Sequence, residues 1–173
     1  MAFDGAQRAA DLVAVLLRDP ADPAEVSEVL LAHGEKEPLG LGGADVAAMR
    51  AVAPRLHAVF AATRTERAAE LLNDLLSHHA APPRLTTHGG EHPWHVHVDS
   101  ADDAPWAEWL LASSAHALAL LLAERQRPPG GLCASTACGR PFADLGGGSP
   151  RRYCSTRCAT RERVAAHRRK GPA

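Results

Sequence analysis

No cysteine occurs before position 133 of this 173-residue chain, and all four that follow lie within its last forty-odd residues. Nor is a secretory leader expected. Met1 to Arg18 carries Asp4, Arg8 and Asp11, with no basic start, uninterrupted apolar stretch or small-residue cleavage site. No stretch approaches the roughly 18 consecutive apolar residues needed to cross a bilayer. These absences argue against an oxidising compartment and against a membrane anchor, and they lead to the expectation of a cytoplasmic protein whose thiols stay reduced. No Ser/His/Asp order, phosphate-binding glycine loop or carboxylate pair of diagnostic spacing is found, so nothing speaks for an enzyme. There are no internal repeats.

The four cysteines, Cys133, Cys138, Cys154 and Cys158, are spaced C-x4-C-x15-C-x3-C. Two close pairs separated by a short loop suit a tetrahedral zinc ion, because each pair supplies two thiolates from one turn and the loop returns the second pair to the first. Neither pair has the C-x-x-C spacing of a redox motif. Four thiolates close the coordination shell, so one zinc ion here is expected to be structural rather than catalytic. The loop that contains Gly146, Gly147, Gly148, Ser149 and Pro150 offers little apolar surface, so metal binding and local folding should be a single event.

Charge divides the chain. Residues 1–127 hold ten Lys+Arg and eighteen Asp+Glu, a net of -8, and residues 128–173 hold nine and two, a net of +7. The overall -1 therefore conceals an acidic body of residues 1–127 and a basic arm of residues 128–173.

The body reads as mostly helical. Ala9, Leu12, Val13 and Leu16 form an apolar stripe over residues 6–18. Asp22-Pro23-Ala24-Glu25 has the signature of a helix start, and Gly34 that of a stop. A third helix is expected from Asp45 to about Ala62, kinked or split at Pro54, and a fourth over about 65–79. Residues 84–87 and 94–98 alternate in period two across a His88-Gly89-Gly90-Glu91 turn, which predicts a hairpin. A long apolar helix over about 105–126 follows, and Arg127-Pro128-Pro129-Gly130-Gly131 reads as a linker. The expected fold class is thus α+β: a helical body with a small β-hairpin, then a treble-clef-like zinc finger of knuckle, short hairpin and helix, with Phe142 and Tyr153 around the metal.

Ten histidines are present. His95 and His97 share one strand face and His92 is near, so a second metal site or a metal-dependent activity is conceivable there. Trp94, Val96 and Val98 occupy the opposite face, the one a core would claim, which would leave the histidines on a solvated surface. His78 and His79 suit the negative end of a helix dipole.

In the arm, a helix over about Ser155–Arg169 would align Arg157, Arg161 and Arg168 in one narrow stripe, and Arg163, His167 and Lys170 in another. Arg151 and Arg152 approach from the preceding segment. Such a surface can neutralise several phosphates or, inserted into a major groove, read guanine edges. The competing reading is a basic helix docked on the acidic body or on an acidic partner protein.

The segments Cys133-x4-Cys138, Phe142-Ala143-Asp144, Arg151-Arg152-Tyr153-Cys154-Ser155-Thr156-x-Cys158, Arg161 and Val164 to Arg168 resemble the CGNR zinc finger. Met1 to Asp4, Leu39 to Asp45, Leu71 to Leu76 and Trp94 to His97 are similar to the ABATE domain that usually precedes it. The resemblance implies a bacterial, stress-responsive transcription regulator whose finger binds DNA, with zinc on the four cysteines and Arg151, Arg152 and Arg161 as basic residues of the motif. The body would sense a small-molecule effector or form a homodimer. The chain departs from the family pattern in Cys158-Ala159-Thr160-Arg161, where the namesake has Cys-Gly-Asn-Arg, and in Leu12-Val13-Ala14-Val15, where the front domain has Leu-Val-Asn-Thr. Ala159 and Thr160 are compatible with a helix first turn, so zinc binding is expected to survive. The favoured function is DNA binding in transcription regulation, and the alternative is an adaptor whose finger docks on an acidic protein.

Overall fold

In a computed structural model, described for residues 2–170, six helices and two short hairpins follow one another along the chain. Met1, part of the N-terminal resemblance, lies outside the described residues, as does the side chain of Lys170. The helices of the body are α1 (Ala2–Leu16), α2 (Pro23–Ala32), α3 (Gly43–Ala61), α4 (Thr65–His79) and α5 (Trp106–Arg125). Strands β1 (Arg84–Thr86) and β2 (His95–His97) form one antiparallel hairpin, and β3 (Gly130–Leu132) and β4 (Pro141–Ala143) the other. The chain ends in α6 (Thr156–Lys170).

Local chemistry explains most boundaries. Asp22 caps α2 by accepting the Ala24 amide at 2.9 Å, with Pro23 in the first turn. Gly34 ends that segment with φ +93, a backbone region glycine enters without strain. Asp45 accepts the Gly42 amide at 2.8 Å and so holds the start of α3. Of the two outcomes expected at Pro54, a kink or a split, the split does not occur: α3 runs continuously through it. Pro54 lies on the exposed side of the helix, where water can serve the carbonyl that proline leaves without an amide.

Helix α5 is the axis of the body and packs against α1, α3 and α4. Its buried residues, among them Trp109, Leu110, Leu111, Ala115, Leu118 and Leu121, occupy almost its full circumference, as befits a helix surrounded by others. By length and mean composition α5 is the one described helix apolar enough to cross a membrane, but polar residues interrupt it and half of its apolar window is buried inside the protein, in the cluster that holds Leu12, Leu56 and Phe60.

The second hairpin is not a free appendage. Gly130 and Gly131, read as linker, form β3 and pack with β4 against α1 and α3, and Ala143 belongs to the main core. A Cβ at Gly130 would lie 2.1 Å from the Phe142 carbonyl oxygen and 2.9 Å from Phe60 Cδ1, so only glycine permits this approach.

Candidate metal centre and basic helix

The first cysteine pair stands at the tip of the β3–β4 hairpin. The Cys133 amide donates to the Arg140 carbonyl at 2.9 Å, continuing the ladder, and the Cys138 amide donates to Ser135 at 2.9 Å, closing the knuckle. Gly139 leaves it with φ +63. The second pair is delivered by the start of α6. Ser155 caps the helix by accepting the Cys158 amide at 3.3 Å, which sets Cys158 in the first turn. The Ala134 amide donates to the Arg152 carbonyl at 2.8 Å and holds the two halves side by side.

All four Sγ atoms lie within 4.8 Å of one another. Cys138 and Cys154 are 3.6 Å apart, and Cys154 and Cys158 3.7 Å. A disulfide would require about 2.05 Å, whereas a tetrahedron of thiolates at roughly 2.3 Å from zinc has edges of roughly 3.8 Å. The donor set fits one zinc ion. Burial opposes ionisation of Cys133, but backbone hydrogen bonds from Cys154 and Ser135, with the thiols of Cys154 and Cys138, outweigh it and bring the group to about 7. Burial and the neighbouring thiols of Cys138, Cys133 and Cys158 push Cys154 up to about 12. Protons crowded in this way are what a metal dication displaces.

The glycine-rich loop is organised by arginines rather than by apolar contacts. Arg127 donates to the carbonyls of Gly148 and Gly146, both at 2.7 Å, and pairs with buried Asp144 at 3.1 Å. Arg125 donates to the Leu145 carbonyl at 3.1 Å.

Arg151, Arg152, Arg157, Arg161 and Arg168 are all exposed. Arg157, Arg161 and Arg168 fall on one narrow stripe of α6 and form no ion pair with another described residue. Arg152 leans on the Tyr153 ring at 5.8 Å. Arg151 is engaged by the finger itself: it donates to the Cys154 carbonyl at 2.7 Å and lies 5.3 Å from the Phe142 ring. The inward side of α6 carries Cys158 and Glu162, and Ser135 donates to Glu162 at 2.8 Å. Helix α6 does not pack extensively against any helix of the acidic body.

Residues 131–171 match the CGNR zinc finger family, and residues 3–125 match ABATE, described as "Putative stress-induced transcription regulator". The chain belongs to the ABATE family. It carries that domain and a CGNR zinc finger in the expected order, and the four clustered cysteines could hold the finger's one zinc ion. Neither matched family is an enzyme family. No curated protein matches the chain.

The histidines of the ABATE portion are placed differently from expectation. Register pairs Arg84 with His97, Leu85 with Val96 and Thr86 with His95. Leu85, Val96 and Trp94 are the exposed side, at 65%, 47% and 72%, and of the expected core face only Val98 is buried. The histidine side turns inward because Arg84 donates to the Asp99 carboxylate at 2.7 Å and His97 meets the same carboxylate at 2.8 Å, a buried polar network with its partners in place. His95 and His97 converge with His88, a residue that sequence reasoning assigned only to the turn, while His92 stays outside the group. The available signal was the even spacing of His95 and His97 opposite a histidine in the connecting turn.

Proposed function

We propose that this ABATE–CGNR protein is a transcription regulator that binds double-stranded DNA through α6, with the zinc site holding that helix in place. The observation that supports this best is the free basic stripe of Arg157, Arg161 and Arg168 on a helix that does not dock on the acidic body. Arg152 extends the same positive surface. Arg151 serves mainly to fix the second cysteine pair through the Cys154 carbonyl. The acidic body, net -8 over residues 1–127, repels phosphate and so orients the finger toward the duplex.

The test is binding of the zinc-loaded full chain to duplex DNA across a salt series, followed by sequencing of genomic fragments retained near physiological salt. Affinity should fall steeply with salt. Replacing Arg157, Arg161 and Arg168 together with alanine should reduce the slope of log K against log salt by roughly 2–3, because each lost phosphate contact removes about 0.9. Enrichment of a few promoter-proximal fragments would support regulation at defined sites. No retention of DNA, or an unchanged slope in the folded variant, would turn the assignment toward an adaptor that docks on an acidic protein.

A further inference from the structure

The Nε2 atoms of His88, His95 and His97 form a small triangle, with edges of 3.2 Å (His88–His95), 3.2 Å (His88–His97) and 3.0 Å (His95–His97). The other nitrogen of each ring decides what these three atoms can be. His95 Nδ1 lies 2.7 Å from the Pro93 carbonyl oxygen, which can only accept, so Nδ1 carries the proton. His97 Nδ1 lies 2.8 Å and 2.9 Å from the two Asp99 carboxylate oxygens and is protonated for the same reason. His88 Nδ1 faces the Asp102 carboxylate at 3.7 Å, which favours the same tautomer. Three neutral imidazoles then aim their lone pairs at a common point. A single proton can bridge only one edge of the triangle, so hydrogen bonding cannot satisfy all three.

A metal dication can. Nitrogens about 2.0–2.1 Å from an octahedral ion stand roughly 2.8–3.0 Å apart and from a tetrahedral ion roughly 3.3–3.4 Å, and the spacing found here lies between the two. Behind His95 and His97 the arrangement is also that of a metal site, in which a ligating imidazole donates its far N–H to a backbone carbonyl or a carboxylate. Asp99 is 3% exposed and held by Arg84, which also grips Asp102 at 2.6 Å. Thr86 donates to Asp102 at 2.8 Å and accepts the His88 amide at 3.0 Å, so the turn that presents His88 is anchored to the same carboxylate. His88 itself adopts φ 49, a left-handed conformation that brings its ring to 5.1 Å and 4.8 Å from those of His95 and His97. Outside glycine this conformation is uncommon, and it persists where surrounding contacts impose it.

We propose that the ABATE domain carries a second metal site, formed by Nε2 of His88, His95 and His97, for a divalent transition ion of the imidazole-binding class such as Zn2+, Co2+, Ni2+ or Cu2+. Three protein ligands leave at least one coordination position for water or a small exogenous ligand. His92, whose ring is 5.3 Å from that of His88 and 5.9 Å from that of His95, stands at the edge of the triangle and is not a ligand. This site is separate in chemistry from the four-cysteine centre, and its existence does not depend on the DNA-binding reading.

The experiment is a metal titration of the zinc-loaded full chain with Zn2+ and with Co2+, read by calorimetry and by total metal analysis after gel filtration. The expected result is one ion beyond the four-cysteine zinc, two in all. Cobalt in the second site should give only weak ligand-field bands, without the intense thiolate charge-transfer absorption that marks a cysteine site. His88→Asn, chosen because asparagine tolerates the left-handed backbone, and His95→Ala should each weaken the second ion by more than about 100-fold, because each removes a nitrogen that touches the metal, a larger loss than that of a residue behind it. Circular dichroism and the retained finger zinc report that both variants fold. His92→Ala should leave affinity within a few-fold of the parent. Uptake of no ion beyond the first, or a second ion bound equally well by His88→Asn and His95→Ala, would overturn the assignment.

Discussion

Arg127 and Asp144 form an ion pair, Nη2 to Oδ2 at 3.1 Å, that ties the end of the body to the segment following β4. The Asp144 side chain is 5% exposed and that of Arg127 21%, so the pair is largely withdrawn from water. The same guanidinium holds the carbonyls of Gly146 and Gly148, and the loop depends on it. Arg127→Met should cost roughly 3 kcal/mol in denaturant unfolding, because the carboxylate left behind is buried without its counter-charge. Adding Asp144→Asn to that variant should restore part of the loss. Equal stability of Arg127→Met and the parent would refute this account of the junction.

Gly130 is the point of closest approach between the finger hairpin and the core. An added methyl group would meet the Phe142 carbonyl oxygen at 2.1 Å, inside any tolerable contact, and backbone cannot step aside as a flexible side chain can. Gly130→Ala is therefore expected to destabilise the protein by about 2 kcal/mol or more, at the upper part of the range for overpacking. A thermal-shift comparison with Gly148→Ala, where an added Cβ meets nothing within 4 Å, isolates the effect.

Removal of the finger zinc should be felt locally. Cys154→Ser, or chelation of the ion, should melt α6 and the knuckle, since these elements contribute little apolar area: among the described α6 residues Cys158 alone is buried. The helices around α5 keep their own core, so circular dichroism should register a partial loss of helicity, with a separate unfolding transition retained for the body. Complete unfolding on chelation would show that the body depends on the metal as well.

On α5, burial pushes the His116 imidazole below its ordinary value of 6.5. A depressed histidine binds its proton less readily in the native chain than in the unfolded one. Its contribution to stability is therefore fully present above about 6.5 and is lost progressively as pH falls toward the native value. His116→Gln should narrow the stability difference between pH 7.5 and pH 5.5 measured in urea. An identical pH slope in parent and variant would mean that other groups carry the acid sensitivity.

Helix positions were legible in the chain because their causes are local. An N-cap acid before Pro23, an apolar stripe through Leu12 and Leu16, and a glycine at position 34 act within a turn or two of where they stand. The zinc donors were equally legible, since C-x4-C and C-x3-C each define a turn that needs no knowledge of the rest of the protein. A split at Pro54 did not follow, because a proline breaks a helix only if nothing else supplies the carbonyl it orphans, and exposure to water is a tertiary property.

The hairpin shows where local reasoning ended. Alternation told which residues of 94–98 share a face but not which face turns inward. That was decided by buried Asp99 and half-buried Arg84, whose pair draws the His95–His97 side toward the protein and leaves Leu85, Val96 and Trp94 in solvent. His88 joins the triangle only because the turn folds its ring back over the strand. The sequence by itself determined the helical body, the four-cysteine centre and the opposed charges of the two parts, all of which follow from spacing and composition. Tertiary structure alone decided that β3 and β4 dock on α1 and α3, that α6 does not pack extensively on the helices of the acidic body, and that three histidines meet at one point. Those outcomes depend on which distant surfaces bury one another, and no short-range pattern encodes that choice.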